Sequence, residues 1–391
     1  MSFVRERVRS ALQRSRFGRR LLAWLRIRHT VRIALLSPLV ASSAIRRPER
    51  GNRDEAVGER ETLEIPPARA ADGSARPLPV PWSRGRFESL PLRVRRVPGA
   101  HLLEEPGAVL TRTRRLLTEN LHGRRRAILE QQPLSLQLRA CGRPTDRLEA
   151  VFVLLGPYSY NYFHWLNDLL PRIEEYEVLG RSEPVRPRLV VPRWLNAWQR
   201  RSLELLGIAD DEMARLSGDH ARARVAFLSS HPGFDVPGLP SAPRRALWLR
   251  ERLLAAVDGR STRRERRLFV CRRDAPGRRR IANEEELAEA LSTRGFEVVV
   301  LSELSFDEQI RRFAEARVVV GAHGAGLSNV LFADAPAVVE LVPRGLLRPE
   351  YLILTGYVHG AHRLVEAADL GADGPIVQMR DLDRALSALG A

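Results

Sequence analysis

An α/β fold with two core-forming units and a basic N-terminal extension is what this sequence predicts, and three observations carry the prediction. The chain has 391 residues, 44% of them hydrophobic, which is more than one ordinary core needs and enough for two. From about Leu103 onward, short apolar runs alternate with longer amphipathic ones, as strands and helices do around a parallel sheet covered on both faces. In "RVVVGAHGAGLSNVLFADAPAVVELVP", Arg317 to Pro343, three glycines and a histidine stand between two apolar runs, where a strand hands over to a helix.

The elements follow in chain order. Before Ser42, Val4, Val8 and Leu12, then Phe17, Leu21 and Leu25, recur at four-residue spacing among arginines, with Glu6 the only acid. Such a helix suits an anionic membrane surface, or packs loosely on the body. From Arg46 to Pro98 the chain is rich in Pro, Arg, Gly and Glu without a sustained apolar period, so residues 1–98 read as extension and linker or irregular wrapping. In a first unit, residues 99–258, "AVFVLLG", "RLVVP" and "RVAFLSS" are buried strands, and "YNYFHWLNDLLPRIEEYEVL" and "WLNAWQRRSLELLG" the helices between them. "SAPRRALWLRERLLAAV", Ser241 to Val257, is the connecting helix, with Ser241 as its cap.

The alternation restarts in a second unit, residues 259–391. Strand "RLFVCR", helix "NEEELAEALSTRG", strand "FEVVVL", helix "SFDEQIRRFAEA", strand "RVVVGA", the glycine loop, a short helix and strand "AVVELV" follow one another. Asn283 before Glu284, Glu285 and Glu286, with Gly295 at the far end, is helix punctuation. "MRDLDRALSAL" is a terminal helix packing back on the body.

Composition narrows the function classes. The net charge of +17 would suggest a polyanion partner, but the chain has no lysine: all 64 basic residues are arginine, the mark of a compositional bias. No nucleic-acid motif accompanies the charge, and no nucleic-acid partner is expected. Cys141 and Cys271 are too few and too distant for a zinc cluster or a disulfide framework, which fits a reducing compartment. The longest apolar stretch, Leu21 to Ile45, is broken by Arg26, Arg28, His29 and Arg32, so the expectation is a cytoplasmic protein without a membrane span.

Three clusters carry the chemistry. Gly321, Gly324 and Gly326 give G-x-x-G-x-G after a strand, which is neither the dinucleotide fingerprint nor a nucleoside-triphosphate loop, yet lets the backbone approach a phosphate or diphosphate. His323 can donate to a phosphate oxygen, and Glu340, at the end of the next strand, can accept from ribose hydroxyls. In "NYFHWLND", His164, Asp168 and Arg172 share one helical face, either as an ordinary polar surface or as a general base with its orienting carboxylate. In "CRRDAPGRRRIANEEEL", Arg272 and Arg280 are the foremost candidates to neutralise a diphosphate.

Together and in this order, "NYFHWLNDLLPRI", "RRD…RRRIANEEEL" and "GAHGAGLSNVLFADAPAVVELVP" resemble glycosyltransferase family 61, over about Val151 to Pro343. The resemblance implies two Rossmann-like domains facing a cleft (the type B glycosyltransferase fold), a nucleotide-sugar donor on the C-terminal domain, and inversion at the anomeric carbon. It implies Asp168 or His164 as the base, with Asn161 and Arg172 supporting the acceptor side. Arg272, Arg280, His323, Gly324, Ala325 and Gly326 would hold the leaving diphosphate, and Glu340 and Asn329 would position the nucleoside or sugar. Neither a metal nor another cofactor is expected, since "DLD" at Asp381 to Asp383 opens the terminal helix and reads as capping.

The expected partners are a nucleotide sugar, a glycan or lipid-linked glycan acceptor and, through the N-terminal segment, the inner face of a bacterial cytoplasmic membrane where surface polysaccharide is assembled. A non-catalytic module binding a nucleotide or polyanion through the same loops is the competing reading. Binding without sugar-nucleotide turnover distinguishes it.

Overall fold

A computed structural model describes residues 53–58, 60–90, 92–121, 133–234, 236, 238–259, 263–273, 281–371 and 374–391. The expected N-terminal amphipathic helix and Arg280 lie outside the described residues.

The protein is mixed α/β, built on two main sheets. The first holds nine strands: β1 (Arg53–Gly58), β2 (Leu92–Pro98), β3 (His101–Leu103), β4 (Ala108–Leu110), β5 (Leu116–Leu117), β6 (Asp146–Val153), β7 (Arg188–Val191), β8 (Met213–Arg215) and β9 (His220–Ser229). Strands β8, β7, β6 and β9 lie side by side and parallel, and β9 then pairs antiparallel with β2 and β3. The second sheet runs β11 (Glu297–Val300), β10 (Arg266–Cys271), β12 (Ala316–Ala322), β13 (Ala337–Pro343), β14 (Ala361–Gly371) and β15 (Gly374–Ile376), all parallel except β15.

From residue 53 on, the described part of the stretch expected to be linker or irregular wrapping packs on the body and contributes strands to it. β1 and β2 join the first sheet, Thr62–Glu64 pairs with Arg86–Glu88, and Ala70 bridges to Leu364 of β14. In β2, Leu92, Val94 and Val97 are buried, but interleaved arginines dilute the apolar alternation that would have announced a strand. Leu63, Ile65, Leu78, Trp82 and Phe87 enter the largest apolar cluster, which also takes Phe152 and Leu189 from the first sheet and Leu268 and Val270 from the second.

The helical run after β6 is not uniform. α1 (Tyr162–His164) passes into a π turn, Trp165–Leu169, and a 3-10 turn, Leu170–Arg172, before α2 (Ile173–Ser182). Leu170 N–H reaches back to the Trp165 carbonyl, and Pro171, which has no N–H to donate, follows at once. The remaining helices are α3 (Ala197–Leu205), α4 (Pro243–Ala256), α5 (Glu284–Ser292), α6 (Phe306–Ala314), α7 (Glu350–Tyr357) and α8 (Met379–Ser387).

Two expected caps are replaced by other contacts. Ala242, not Ser241, is the N-cap of α4, and Ser241 is buried. Asn283 makes no side-chain cap; its amide exchanges hydrogen bonds with the Val377 backbone at 2.9 and 3.0 Å, tying α5 to the chain before α8. No helix among the described residues is long and apolar enough to cross a membrane.

Strand order places the crevices. In the first sheet the parallel run is ordered third, second, first, fourth, so the winding reverses between β6 and β9; in the second it reverses between β10 and β12. Loops leaving neighbouring strands there diverge to opposite faces, which opens a crevice at their carboxyl ends.

Candidate active site

Both reversals deliver side chains to one pocket of about 490 Å³. From the first sheet come His164 and Asp168, after β6, and His231, after β9; from the second come His323 and Ala325, after β12, with Tyr351 of α7.

Asn161 starts the helical run as its N-cap, accepting at Oδ1 from the Phe163 and His164 amides at 3.0 and 3.4 Å. Four residues apart, His164 Nδ1 and Asp168 Oδ2 lie 2.7 Å from each other. Burial pushes the Asp168 carboxyl up, but the charge and hydrogen bond of His164, with His231 behind them, outweigh it and hold it well below the usual carboxylate range. An ionised carboxylate accepts the Nδ1 proton and leaves Nε2 as the working nitrogen of the ring. His231 Nε2 stands 3.6 Å from Asp168 Oδ1, beyond hydrogen-bond length. Tyr158, at φ 61°, stacks on the His164 ring with centroids 5.2 Å apart.

Arg172 does not lie on a helix surface. It is 1% exposed, and its Nε donates to the Asp168 carbonyl at 2.7 Å while Nη2 donates to the Asn120 carbonyl at 3.0 Å. Burial lowers its pKa to about 10, with the Asp168 charge acting in the opposite direction. Its role is to fix the backbone beneath the carboxylate.

On the second sheet the His323 amide donates to the Leu341 carbonyl at 2.8 Å, extending the β12–β13 pairing into the glycine loop. His323 Nδ1 is bonded to Glu340 Oε1, and the other carboxylate oxygen is 3.0 Å from His362 Nε2 on β14. Burial alone would raise the Glu340 carboxyl, but the two imidazoles bring it down to about 2. Glu340 is fully buried with both oxygens engaged, so the structure removes it from the expected contact with ribose; it orients His323 instead.

Asn329 is corrected in the same way. It is 0% exposed, accepting from Tyr162 OH at 2.6 Å and donating to Gln309 Oε1 and the Gly326 carbonyl at 3.2 and 3.1 Å. That leaves it joining the two sheets rather than touching a ligand.

Arg272 follows β10 directly; its amide donates to Glu284 Oε1 at 2.8 Å and its Nη1 to the His323 carbonyl. The guanidinium lies on Gly324, where a Cβ would come 1.7 Å from Nη1. Gly324 has an ordinary extended φ, so space rather than conformation demands glycine. At Gly326 a Cβ would meet Leu301 Cδ1 at 2.5 Å. Gly324→Ala should displace the tip of a flexible side chain and spare the fold. If the loop holds a diphosphate, the cost falls there: one charge-assisted contact is worth about 1.5–3 kcal/mol, so nucleoside-diphosphate affinity should fall roughly tenfold or more by calorimetry, at unchanged Tm.

Residues 162–339 match the model of the family described as glycosyltransferase 61. This region of the chain belongs to glycosyltransferase family 61. The family-61 region contains His164, Asp168, Arg272 and His323 and stops just before Glu340. No curated protein matches the chain.

Several residues in or behind the pocket escape a sequence reading. His231 had a signal, since it stands just beyond strand "RVAFLSS" where active groups collect. His362 had none, because only strand pairing brings it under Glu340. Trp82, Asn120 and Glu350 line the pocket from parts of the chain outside the family-61 region and without any motif.

Proposed function

We propose that this glycosyltransferase is an inverting enzyme that moves a sugar from a nucleotide-sugar donor to a glycan hydroxyl. The observation that carries the reading is the meeting, in one pocket, of the His164–Asp168 pair from the first sheet with the His323 loop from the second. The acceptor oxygen attacks the anomeric carbon and gives its proton to His164 Nε2, while the bond from that carbon to the diphosphate breaks and its electron pair leaves with the nucleoside diphosphate. Attack opposite the leaving group inverts the centre in one displacement. Asp168 is too acidic to be the better base; it orients the ring and balances the imidazolium charge. His323, the loop amides and Arg272 meet the charge that develops on the diphosphate.

In this reading the two sheets are Rossmann-like halves of a type B fold, divided near residues 258–259, and the cationic cradle takes the place of a metal. A role in bacterial surface polysaccharide assembly, with the arginine-rich N-terminus on an anionic membrane, agrees with the composition.

Thermal stability against a panel of nucleoside diphosphates and nucleotide sugars, with and without EDTA, tests the reading. A ligand at about a hundred times its Kd should add roughly 2.7 kcal/mol, independently of EDTA, and His323→Ala should weaken the effect. No shift with any nucleoside diphosphate would overturn the assignment, and binding without turnover would favour a non-catalytic module.

A further inference from the structure

Buried polar atoms in folded proteins are nearly always hydrogen-bonded, so unpaired ones that face a pocket mark where a ligand completes them. Asn120 is 1% exposed with neither Oδ1 nor Nδ2 partnered, and Glu350 is 6% exposed with Oε2 unpartnered. Both line the pocket that holds His164 and His323.

We propose that Asn120, Glu350 and Trp82 form a hydroxyl-recognition wall that selects the sugar being transferred. The inference rests on the glycosyltransferase reading above and adds which residues read the sugar. An amide offers a donor and an acceptor, and a carboxylate offers acceptors; ring hydroxyls, which donate and accept, complement both. Trp82 adds an aromatic surface of the kind that packs against the C–H face of a sugar ring.

The wall is built rather than incidental. Gly238, at φ +78°, passes beside it: a Cβ there would lie 3.1 Å from Glu350 Oε1 and 3.4 Å from Trp82 Cζ2, inside the space the two share. Arg172 donates to the carbonyls of both Asn120 and Asp168, which references the amide to the base. At the other end Glu350 precedes Tyr351, whose ring centroid is 5.1 Å from that of His323. The wall therefore reaches from the base to the phosphate loop, the interval a donor sugar must occupy. All three residues lie outside residues 162–339, so the family region supplies the common bond exchange and the flanks supply the choice of sugar.

Glu350 also opens α7, and Arg348 Nη1 lies 3.4 Å from its Oε1, so a purely structural role is the alternative. The two roles differ in sign. If the residues serve the fold, Asn120→Ala and Glu350→Gln lower Tm. If they serve a ligand, Tm holds or rises, because buried polar atoms without partners have been removed or neutralised.

Calorimetry and steady-state kinetics of the full chain test this with UDP, GDP and dTDP and with UDP-glucose, UDP-xylose and GDP-mannose. For each variant, nucleoside-diphosphate affinity is expected to stay within about twofold, while affinity for the accepted nucleotide sugar and its kcat/KM fall roughly tenfold, and the preference among sugars narrows. Unchanged sugar preference, or a fall in Tm with an unchanged ratio of nucleotide-sugar to diphosphate affinity, overturns the wall while leaving the diphosphate site standing. Failure of the wild type to bind any nucleoside diphosphate removes the underlying reading and the wall with it.

Discussion

His164→Ala should lower turnover by about 10²–10⁴-fold, the range that loss of a positioned general base costs, with nucleoside-diphosphate affinity near wild type and a lower Tm, because the buried Asp168 carboxylate loses its main partner. The ring is the partly exposed member of its pair, with 27% of its side chain accessible against 9% for Asp168, so its removal empties the reacting side of the pocket without opening the core. Asp168→Asn keeps the shape and loses the charge that balances the imidazolium, so it too lowers kcat more than affinity. Equal losses of nucleotide binding and turnover in His164→Ala would remove the residue from the role of base. Acid stability separates the partners further. A depressed carboxylate contributes stability that is complete above its unfolded pKa, near 3.8 for Asp168, and is lost as pH falls through the folded value. Asp168→Asn should therefore lower stability at neutral pH and flatten the acid limb, its curve converging with that of wild type as pH falls through the folded value.

Glu175→Ala has the largest expected effect on folding, a loss of about 3–5 kcal/mol read from the urea midpoint. Glu175 and Arg245 both have 0% exposed side chains, and Arg245 Nη1 donates to Glu175 Oε2 at 2.8 Å. Burial lowers the Arg245 pKa to about 9, yet the group remains a cation at neutral pH, and without Glu175 it is a buried charge that has lost its hydrogen-bonded counter-charge, with Glu174 and Glu61 the remaining acids acting on it. Replacing both partners by apolar residues of similar volume should recover most of the loss. Arg245 also donates to the Pro171 carbonyl at 3.0 Å, beneath the 3-10 turn that follows Asp168, so Glu175→Ala should depress turnover as well. A midpoint within experimental scatter of wild type would show that the pair contributes little.

What the sequence reveals and what it hides divide along physical lines. Parallel strands buried on both faces read as apolar runs, which is why β6, β7, β10, β12 and β13 were legible and why the glycine loop could be placed at a strand end. The N-terminal wrap was not legible because its strands are short and arginines sit between their apolar residues, as in β2. Local pairs, such as His164 with Asp168, were visible at helical spacing. Pairs made by strand register, such as Glu340 with His362, and the choice of Asn329 as a tie instead of a ligand contact, depend on residues far apart in the chain. Asn120 and Glu350 carry no motif at all; only buried side-chain atoms without partners, both polar atoms of the Asn120 amide and Oε2 of Glu350, single them out.

The bond from Tyr162 to Asn329 has a wider meaning. Tyr162 stands two positions before His164, and Asn329 lies in the 3-10 segment, Ala325–Phe332, that leaves the glycine loop. Arg201 of α3 adds a bidentate bridge to Asp307 of α6, at 2.8 and 2.9 Å, between the same two halves. In the proposed mechanism the distance between proton acceptor and departing phosphate would be set by how the halves are fastened, and a drift of about 1 Å can cost as much as 10²-fold in rate. Fast bond exchange calls for tight fastenings and rapid discharge of spent nucleotide calls for loose ones, so under the proposed mechanism the strength of these few ties would set the rhythm of the catalytic cycle.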